Sequence, residues 1–326
     1  MSGRITDIEG IRVGHCSDLS ALTGCTVLLC VEGAVGGVDI RGSASGSREL
    51  DPLYPLHLVD RVHGLVFAGG SAFGLDAAGG VMQYLEEQGV GFDVGVTRIP
   101  IVPAAVLFDL RIGDFRVRPD RTMGYRACQA ATTTVFEEGS VGAGTGATVG
   151  KLMGIECAMK GGVGTSSVAL PSGVTLGALV VVNAFGDVIE PKTGRILAGL
   201  RDRSRGTRLL DTELQIRSGI VPRGYNREST TLVAVATNAR LTKVGATKLA
   251  QQAQLGLART IRPVHTTLDG DAIFVLATGR VAGDLNALGV VAAEVVAQAV
   301  VRAITLATTL GGIPSFADLS ARAADS

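Results

Sequence analysis

The chain is predicted to fold as a layered α/β protein, and three observations lead there. Short apolar runs closed by glycine alternate along the sequence with segments of helical periodicity, which is the pattern of strands covered by helices. The composition is aliphatic and rich in turns: 46% of residues are hydrophobic, 4% are aromatic, none is Trp and 45 are Gly. At 326 residues the chain is long enough for one large layered domain or for two domains.

The elements follow in order. Thr26 to Val31 and Gly64 to Ala68 are short apolar runs that read as strands. The second leads into a helix expected to be capped by Ser71, to run through Met82 to Gln88, and to stop at Gly89. Leu176 to Ala184, Thr230 to Thr237 and Ala272 to Ala277 read as buried strands. Thr242 to Thr260 is a second helix, capped by Thr242, and a third follows Asn286. The apolar stretch from Ala287 to Leu310 is interrupted by Glu294, Gln298 and Arg302. Their spacing of four makes one polar stripe on an otherwise buried helix, so no membrane span is needed.

Lys and Arg together number 30, and so do Asp and Glu. That balance argues against a nucleic-acid partner and gives no support to a polybasic membrane anchor. Residues 1–9 contain Asp7 and Glu9 where a secretory signal needs an unbroken apolar stretch, so a cytoplasmic protein is expected. Cys16, Cys25, Cys30, Cys128 and Cys157 are an odd set without a CxxC pair, which fits a reducing compartment.

The most informative segment is the junction Arg227-Glu228-Ser229-Thr230-Thr231. The 37 residues from Lys192 to Glu228 carry 13 charged side chains, nine of them Lys or Arg, and read as an exposed, mobile linker. From Thr230 to Leu241 the chain is β-branched and apolar without Gly or Pro, so a mobile arm meets a rigid strand at Ser229-Thr230. Two threonines can simply open a strand. If the Ser229-Thr230 bond were cut, however, Thr230 would hold a hydroxyl nucleophile and a free α-amine on one residue. That amine, with a reference pKa of roughly 7.7–8.0, can act as the general base.

Several attractive motifs fail. Gly142 to Lys151 looks like a phosphate loop, but Thr145 stands where that motif needs Gly, and Leu152 where Ser or Thr should bind Mg²⁺. Ser71 mimics a serine nucleophile at a strand-to-helix turn, yet Phe73 occupies the place of the second glycine. His15, His57, His63 and His265 show no HxxxH or HxH spacing, so no metal site is expected. Nine glycines between Gly139 and Gly164 serve either tight turns between layers or close approach to a substrate. Lys151 closes the first part of that run; it is either a surface residue or a cation entering a partly desolvated site. Asn183 interrupts the most hydrophobic strand, as a turn residue or as a fixed donor to an oxyanion. Asp269 and Asp271 flank Gly270, as an Asp-Gly turn or as acceptors for the amine and hydroxyl of Thr230.

Ordered motifs over nearly the whole chain add a resemblance. They include Arg12-Val13-Gly14-His15, Arg41-Gly42, Ser47-Arg48-Glu49, Gly69-Gly70-Ser71-Ala72-Phe73-Gly74, Pro100-Ile101-Val102-Pro103 and Val141 to Lys151. Val181-Val182-Asn183-Ala184, the Thr230-Thr231 strand, and Arg262-Pro263-Val264-His265-Thr266 running into Asp269-Gly270-Asp271 complete them. Together they resemble the L-aminopeptidase/D-amidase-esterase (DmpA-type) family, which includes β-aminopeptidases and a nylon-oligomer hydrolase.

The resemblance implies a four-layer α/β/β/α sandwich and a single catalytic domain spanning residues 1–326. It further implies self-cleavage into an α chain 1–229, with its mobile linker at about 192–229, and a β chain 230–326. Thr230 would be the nucleophile, Asn183 and Lys151 would support the oxyanion, and Asp269 and Asp271 would orient the nucleophile. Phe108 would contact substrate; some relatives have Tyr there, and close relatives have Asn or Gly where Ser229 stands. The activity implied is hydrolysis of amides or peptides with a free amino end, without metal or organic cofactor, in a homo-oligomer of αβ units. An acyltransferase resembling the ornithine acetyltransferases and a non-catalytic oligomeric binding protein of the same fold are the alternatives.

Overall fold

A computed structural model describes residues 3–221 and 229–324. Its main strands are β1 (Arg12–Asp18), β2 (Thr23–Ile40), β3 (Gly46–Arg48), β4 (Arg61–Ala68), β5 (Ala104–Val106), β6 (Gly162–Ala169), β7 (Thr175–Asn183), β8 (Thr230–Ala239) and β9 (Ala272–Val281). The helices are α1 (Ala77–Glu87), α2 (Arg121–Gln129), α3 (Thr212–Arg217), α4 (Lys243–Thr260), α5 (Leu285–Thr305) and α6 (Phe316–Ala324). Among the described residues the nine strands join in the order β6-β7-β8-β9-β2-β4-β5-β3, with β1 paired to β2. The pairs β8–β9 and β4–β5 are parallel; the others are antiparallel.

One strand turns this path into two layers. The first half of β2 pairs with β1 and β4, whereas Val35 to Ile40 pair with Ala277 to Ala272 of β9. The register shifts between Leu29 and Ala34, where β2 leaves one layer for the other.

Side chains alternate across each layer with the period of two that a strand dictates. On β8, Val233 and Val235 join a core with Leu249 of α4 and Val295 of α5, while Leu232 and Ala234 face a second core shared with Leu28 and Phe67. Phe67 of β4 and Phe274 of β9 meet across that middle core with ring centroids 5.8 Å apart. On the far side, Val27, Leu29 and Val66 pack against Val81 and Leu85 of α1 and Cys128 of α2. Three stacked cores separate four layers, α/β/β/α, as expected.

The helix caps follow local chemistry. Thr242 Oγ1 accepts from Gly245 N at 3.1 Å and starts α4, and Asp284 accepts from Ala287 N at 2.8 Å and starts α5. Helix α5 is long and apolar enough to cross a membrane, but 61% of its most apolar window is buried within the fold. Its polar stripe is used: Gln298 bonds Glu294 and Ser166, and Arg302 Nε reaches Glu138 at 3.0 Å. The glycine-rich run lets α5 approach β6, since a Cβ on Gly164 would lie 2.1 Å from Ala299 O.

Two expectations need correction. Ser71 does not cap α1: it has φ +55°, it opens a 3-10 turn spanning Ser71–Asp76, and α1 proper begins at Ala77. The expected linker does not begin at Lys192. Ile196–Ala198 is a strand paired with Asp187–Ile189, and Leu197, Ala198, Leu200 and Thr212 are buried. Buried Asp187 fastens this stretch by accepting from Leu200 N at 2.8 Å and from Thr212 N and Oγ1 at 2.7 Å. Of the charged side chains that suggested a linker, Lys192, Arg195, Asp202, Arg203, Arg205, Arg208 and Arg217 face outward from a packed segment, whereas Arg201 is buried in it. Residues 222–228 of the expected linker lie outside the described residues.

Candidate active site

Thr230 begins β8 and Asn183 ends β7, and the antiparallel register sets them opposite each other. Thr230 shares the parity of Leu232 and Ala234, and Asn183 that of Val181 and Leu179, all of which face the middle core. Both polar side chains therefore project between the two β layers, at the end where the apolar filling stops. Asn183 is fully buried, and Ser229 and Thr230 are 2% and 4% exposed.

The junction is tightly held. Thr230 Oγ1 donates to Ser229 O at 2.5 Å, and Gly270 N donates to the same oxygen at 2.8 Å. Ser229 lies beside Asp269 in a short parallel bridge, with Ser229 N donating to Leu268 O at 3.4 Å. The carbonyl that Thr230 would attack is thus already polarised by a backbone donor. Only glycine fits at 270, because a Cβ there would lie 2.8 Å from Thr230 Oγ1 and 2.7 Å from Ala44 O. The turn after β2 braces this loop: Arg41 N donates to Asp271 O and Ala44 N to Asp269 O. That contact gives the Arg41-Gly42 motif a place in the site.

Lys151, expected either at the surface or in the site, is buried in it. Its Nζ donates to Asn183 O and Asn183 Oδ1, both at 2.9 Å, and lies 3.4 Å from Ser229 Oγ. Thr148 N also donates to Asn183 Oδ1 at 2.9 Å. Two donors on Oδ1 fix the amide so that Nδ2 points away from them, and Nδ2 donates to Phe108 O at 3.1 Å. Phe108 contributes its carbonyl to Asn183, and it lines a small cleft with Thr148 and Lys151.

Asp269 and Asp271, expected to orient the nucleophile, hold groups around the junction in the uncut chain. Among the described residues of the uncut chain, the Thr230 hydroxyl makes its hydrogen bond to Ser229 O, not to either carboxylate. Asp271 Oδ1 accepts from Thr231 N at 2.7 Å, and its Oδ2 accepts from His265 N and pairs with His265 Nδ1 at 2.9 Å. Asp269 accepts from Phe185 N at 3.1 Å and from Thr266 Oγ1 at 2.6 Å. Burial, with the neighbouring Asp271 charge second, raises the Asp269 pKa to about 6. The two carboxylates hold the backbone on either side of the junction, and Asp271 links it to His265.

Sequence reasoning missed Lys160. It is fully buried, and its Nζ donates to Thr145 O at 2.7 Å and Ala147 O at 2.8 Å, so a cation ties the turn that presents Thr148 to Asn183. Burial lowers its pKa to about 7. Its one visible signal was a charge between Met159 and the Gly161-Gly162 pair. Asp109 of the same region, buried and bonded to Thr23 Oγ1 and Gly70 N, was likewise unmarked. Among the described residues, no cluster of three or more His, Cys, Asp or Glu is placed to hold a metal.

This chemistry is of a nucleophile, a polarised carbonyl and fixed donors, suited to acyl transfer. Comparison with known proteins agrees. Residues 3–315 match peptidase family S58. An uncharacterized aminopeptidase of Mycobacterium tuberculosis is 42% identical, the match covering 97% of each chain. A 6-aminohexanoate-oligomer endohydrolase of Kocuria sp. is 31% identical over 91% of this chain and 84% of its own. In fold, the chain is similar to a Burkholderia sp. beta-aminopeptidase, with TM-score 0.72 and 24% identity over 100% of this chain and 95% of that one. It is also similar to the L-aminopeptidase D-Ala-esterase/amidase of Ochrobactrum anthropi, described as a variant of the Ntn-hydrolase fold, with TM-score 0.73 and 18% identity over 94% and 88% of the two chains.

Proposed function

The chain belongs to peptidase family S58, and from that premise we propose that it cuts itself at Ser229-Thr230 and then uses Thr230 as an N-terminal nucleophile. It is a hydrolase of peptide or amide bonds, of the aminopeptidase and amidase type. The observation that supports self-cutting is the Ser229 carbonyl, flanked by the Thr230 hydroxyl at 2.5 Å and the Gly270 amide at 2.8 Å.

In the first stage, Thr230 Oγ attacks the Ser229 carbonyl carbon, and Gly270 N–H donates to the oxygen as it takes on charge. The Ser229-Thr230 C–N bond breaks, the hydroxyl proton ends on the Thr230 nitrogen, and an ester remains between Ser229 and Thr230 Oγ. Water hydrolyses that ester to the Ser229 carboxylate and a free Thr230 hydroxyl and amine.

In the second stage the free amine takes the hydroxyl proton as Oγ attacks a substrate amide and passes it to the leaving amine as the C–N bond breaks; water, deprotonated by the same amine, then hydrolyses the ester to the acid and the free Thr230 hydroxyl. Asn183, fixed opposite Thr230, supplies an amide donor to the oxyanion. Lys151 fixes Asn183 and adds positive charge beside the reacting carbonyl. Asp271, through Thr231 N, and Asp269, through Phe185 N, hold the two strand ends at working distance. The substrate is an amide with a free amino end, and the αβ units form a homo-oligomer. Exposed Leu56, Leu58 and Val96 on neighbouring loops support self-association.

The test is the denatured mass of the purified protein beside its Thr230→Ala variant. Fragments of residues 1–229 and 230–326 are expected from the unaltered chain alone. A single uncut chain in both would overturn the assignment of Thr230.

A further inference from the structure

The Asn183 amide donates through Nδ2 to Phe108 O at 3.1 Å and accepts at Oδ1 from Thr148 N at 2.9 Å, so two segments outside the β7–β8 pair grip it from opposite ends. Each segment needs an anchor of its own. For the first, that anchor is the residue next to Phe108. Asp109 is 4% exposed; its Oδ1 accepts from Gly70 N and its Oδ2 from Thr23 Oγ1, each at 2.7 Å. On the other side of Phe108, Leu107 N donates to Ala68 O at 2.9 Å and Ser71 N donates to Leu107 O at 3.0 Å. Phe108 therefore has a fastened neighbour on each side, and the carbonyl it presents to Asn183 shifts only if those bonds give way.

Glycines make room for this carboxylate. A Cβ on Gly69 would lie 2.0 Å from Asp109 Oδ2 and 2.5 Å from Thr23 Oγ1, and one on Gly146 would lie 2.5 Å from Asp109 Cβ. The Gly69-Gly70-Ser71 turn, which does not cap α1, thus receives Asp109 instead. Gly146 belongs to the second segment, the turn whose Thr145 and Ala147 carbonyls hold Lys160 Nζ at 2.7 and 2.8 Å. Asp109 packs directly against that turn, and its charge and that of Lys160 each favour the other's ionised form against the cost of burial. A buried carboxylate and a buried ammonium stand behind the two segments that hold one amide.

We propose that Asp109 is a positioning residue for the oxyanion donor, holding Phe108 O so that the Asn183 amide keeps its aim, which rests on the reading of Asn183 as that donor. Its action falls on the second stage alone, because in the first the developing charge is met by Gly270 N.

The experiment measures kcat and KM per cleaved chain, on an amino-acid p-nitroanilide that the unaltered protein turns over, for Asp109→Ala and for the milder Thr23→Val. The second removes one of the carboxylate's two donors, and each change is made alone and together with Asn183→Ala. Denatured mass counts the cleaved chains, and circular dichroism shows that they fold. Asp109→Ala is expected to cut itself normally, to lose roughly tenfold or more in kcat with KM within about twofold, and to lose nothing further beside Asn183→Ala, because residues acting through one group are not additive. Thr23→Val should show the same pattern at several-fold, and it decides the matter if Asp109→Ala does not fold. Losses that multiply with that of Asn183→Ala, or that fall on KM, would overturn the assignment, as would a folded variant left uncut. Unaltered kcat in Asp109→Ala and Thr23→Val beside a crippled Asn183→Ala would overturn this inference alone, whereas full kcat in Asn183→Ala would overturn the reading of Asn183 and this inference with it.

Discussion

Asn183 and Thr230 face each other across the β7–β8 pair as direct register partners, one closing its strand and the other opening its own. The proposed donor and nucleophile are thereby held by the sheet's own hydrogen-bond ladder, on the same face, rather than by flexible loops.

Asn183→Ala removes the side-chain donor while keeping the strand. Its kcat is expected to fall by roughly 10²–10³ with a much smaller change in KM, as for loss of one oxyanion donor. Steady-state kinetics on a cleaved preparation measures this, and a drop confined to KM would place Asn183 in substrate binding instead.

Gly270→Ala puts a methyl group 2.8 Å from Thr230 Oγ1 and 2.7 Å from Ala44 O, so the loop must retreat from the Ser229 carbonyl. Self-cutting is expected to slow by about 10² or more, since misplacement by an ångström has that scale of effect. A time course of denatured mass, with circular dichroism to show that the variant folds, gives the answer. Cutting at the unaltered rate would remove Gly270 from the first stage.

Asp269, with its pKa raised to about 6, should leave an acid limb in kcat/KM. Activity is expected to rise with pH through about 6, as the carboxylate ionises to accept from Phe185 N and Thr266. The stability sign is opposite. The folded state keeps the proton to higher pH than the unfolded chain, so this group's contribution is full below about 3.9 and is lost as pH rises through about 6. Asp269→Asn should flatten the acid limb and weaken that pH dependence of Tm.

Lys160→Met would leave the Thr145 and Ala147 carbonyls buried without their cation. A loss of about 2–4 kcal/mol is expected from unsatisfied buried acceptors, together with lower kcat as Thr148 loosens from Asn183. Urea unfolding and kinetics on the folded fraction separate the two effects. Unchanged stability would mean the turn holds without the ammonium.

What was legible in the sequence was local. The strands containing Val180, Val233 and Val275 showed as runs of buried residues, and Thr242 announced its helix because a cap acts on an amide three residues away. Thr230 was visible because its neighbours change character abruptly. Lys160 was not, since its role lies in carbonyls of a turn more than ten residues earlier, and no pattern in its own neighbourhood encodes that approach. Ser71 misled for a related reason: the turn before α1 is set by Gly70 at φ +78° and by Ser71 N bonding Leu107 O, a tertiary contact. The stretch after Lys192 misled because counting charges says which side faces water and nothing about Leu197, Leu200 and Thr212 on the other side. Asp187, which fastens them, lies outside the stretch that was counted.

The order of strands has a consequence for the cut protein. β8 and β9 belong to the downstream fragment, yet they lie between β7 and β2 of the upstream one. Severing the chain at Ser229 would remove a covalent link without opening a seam, because the fragments interleave and share two of the three cores, the middle one and the one under α4 and α5. The two pieces would remain one body, melting together rather than drifting apart. Regaining the fold after denaturation would then require two separate molecules to meet, so maturation would turn a reversible unimolecular folding problem into one that depends on concentration.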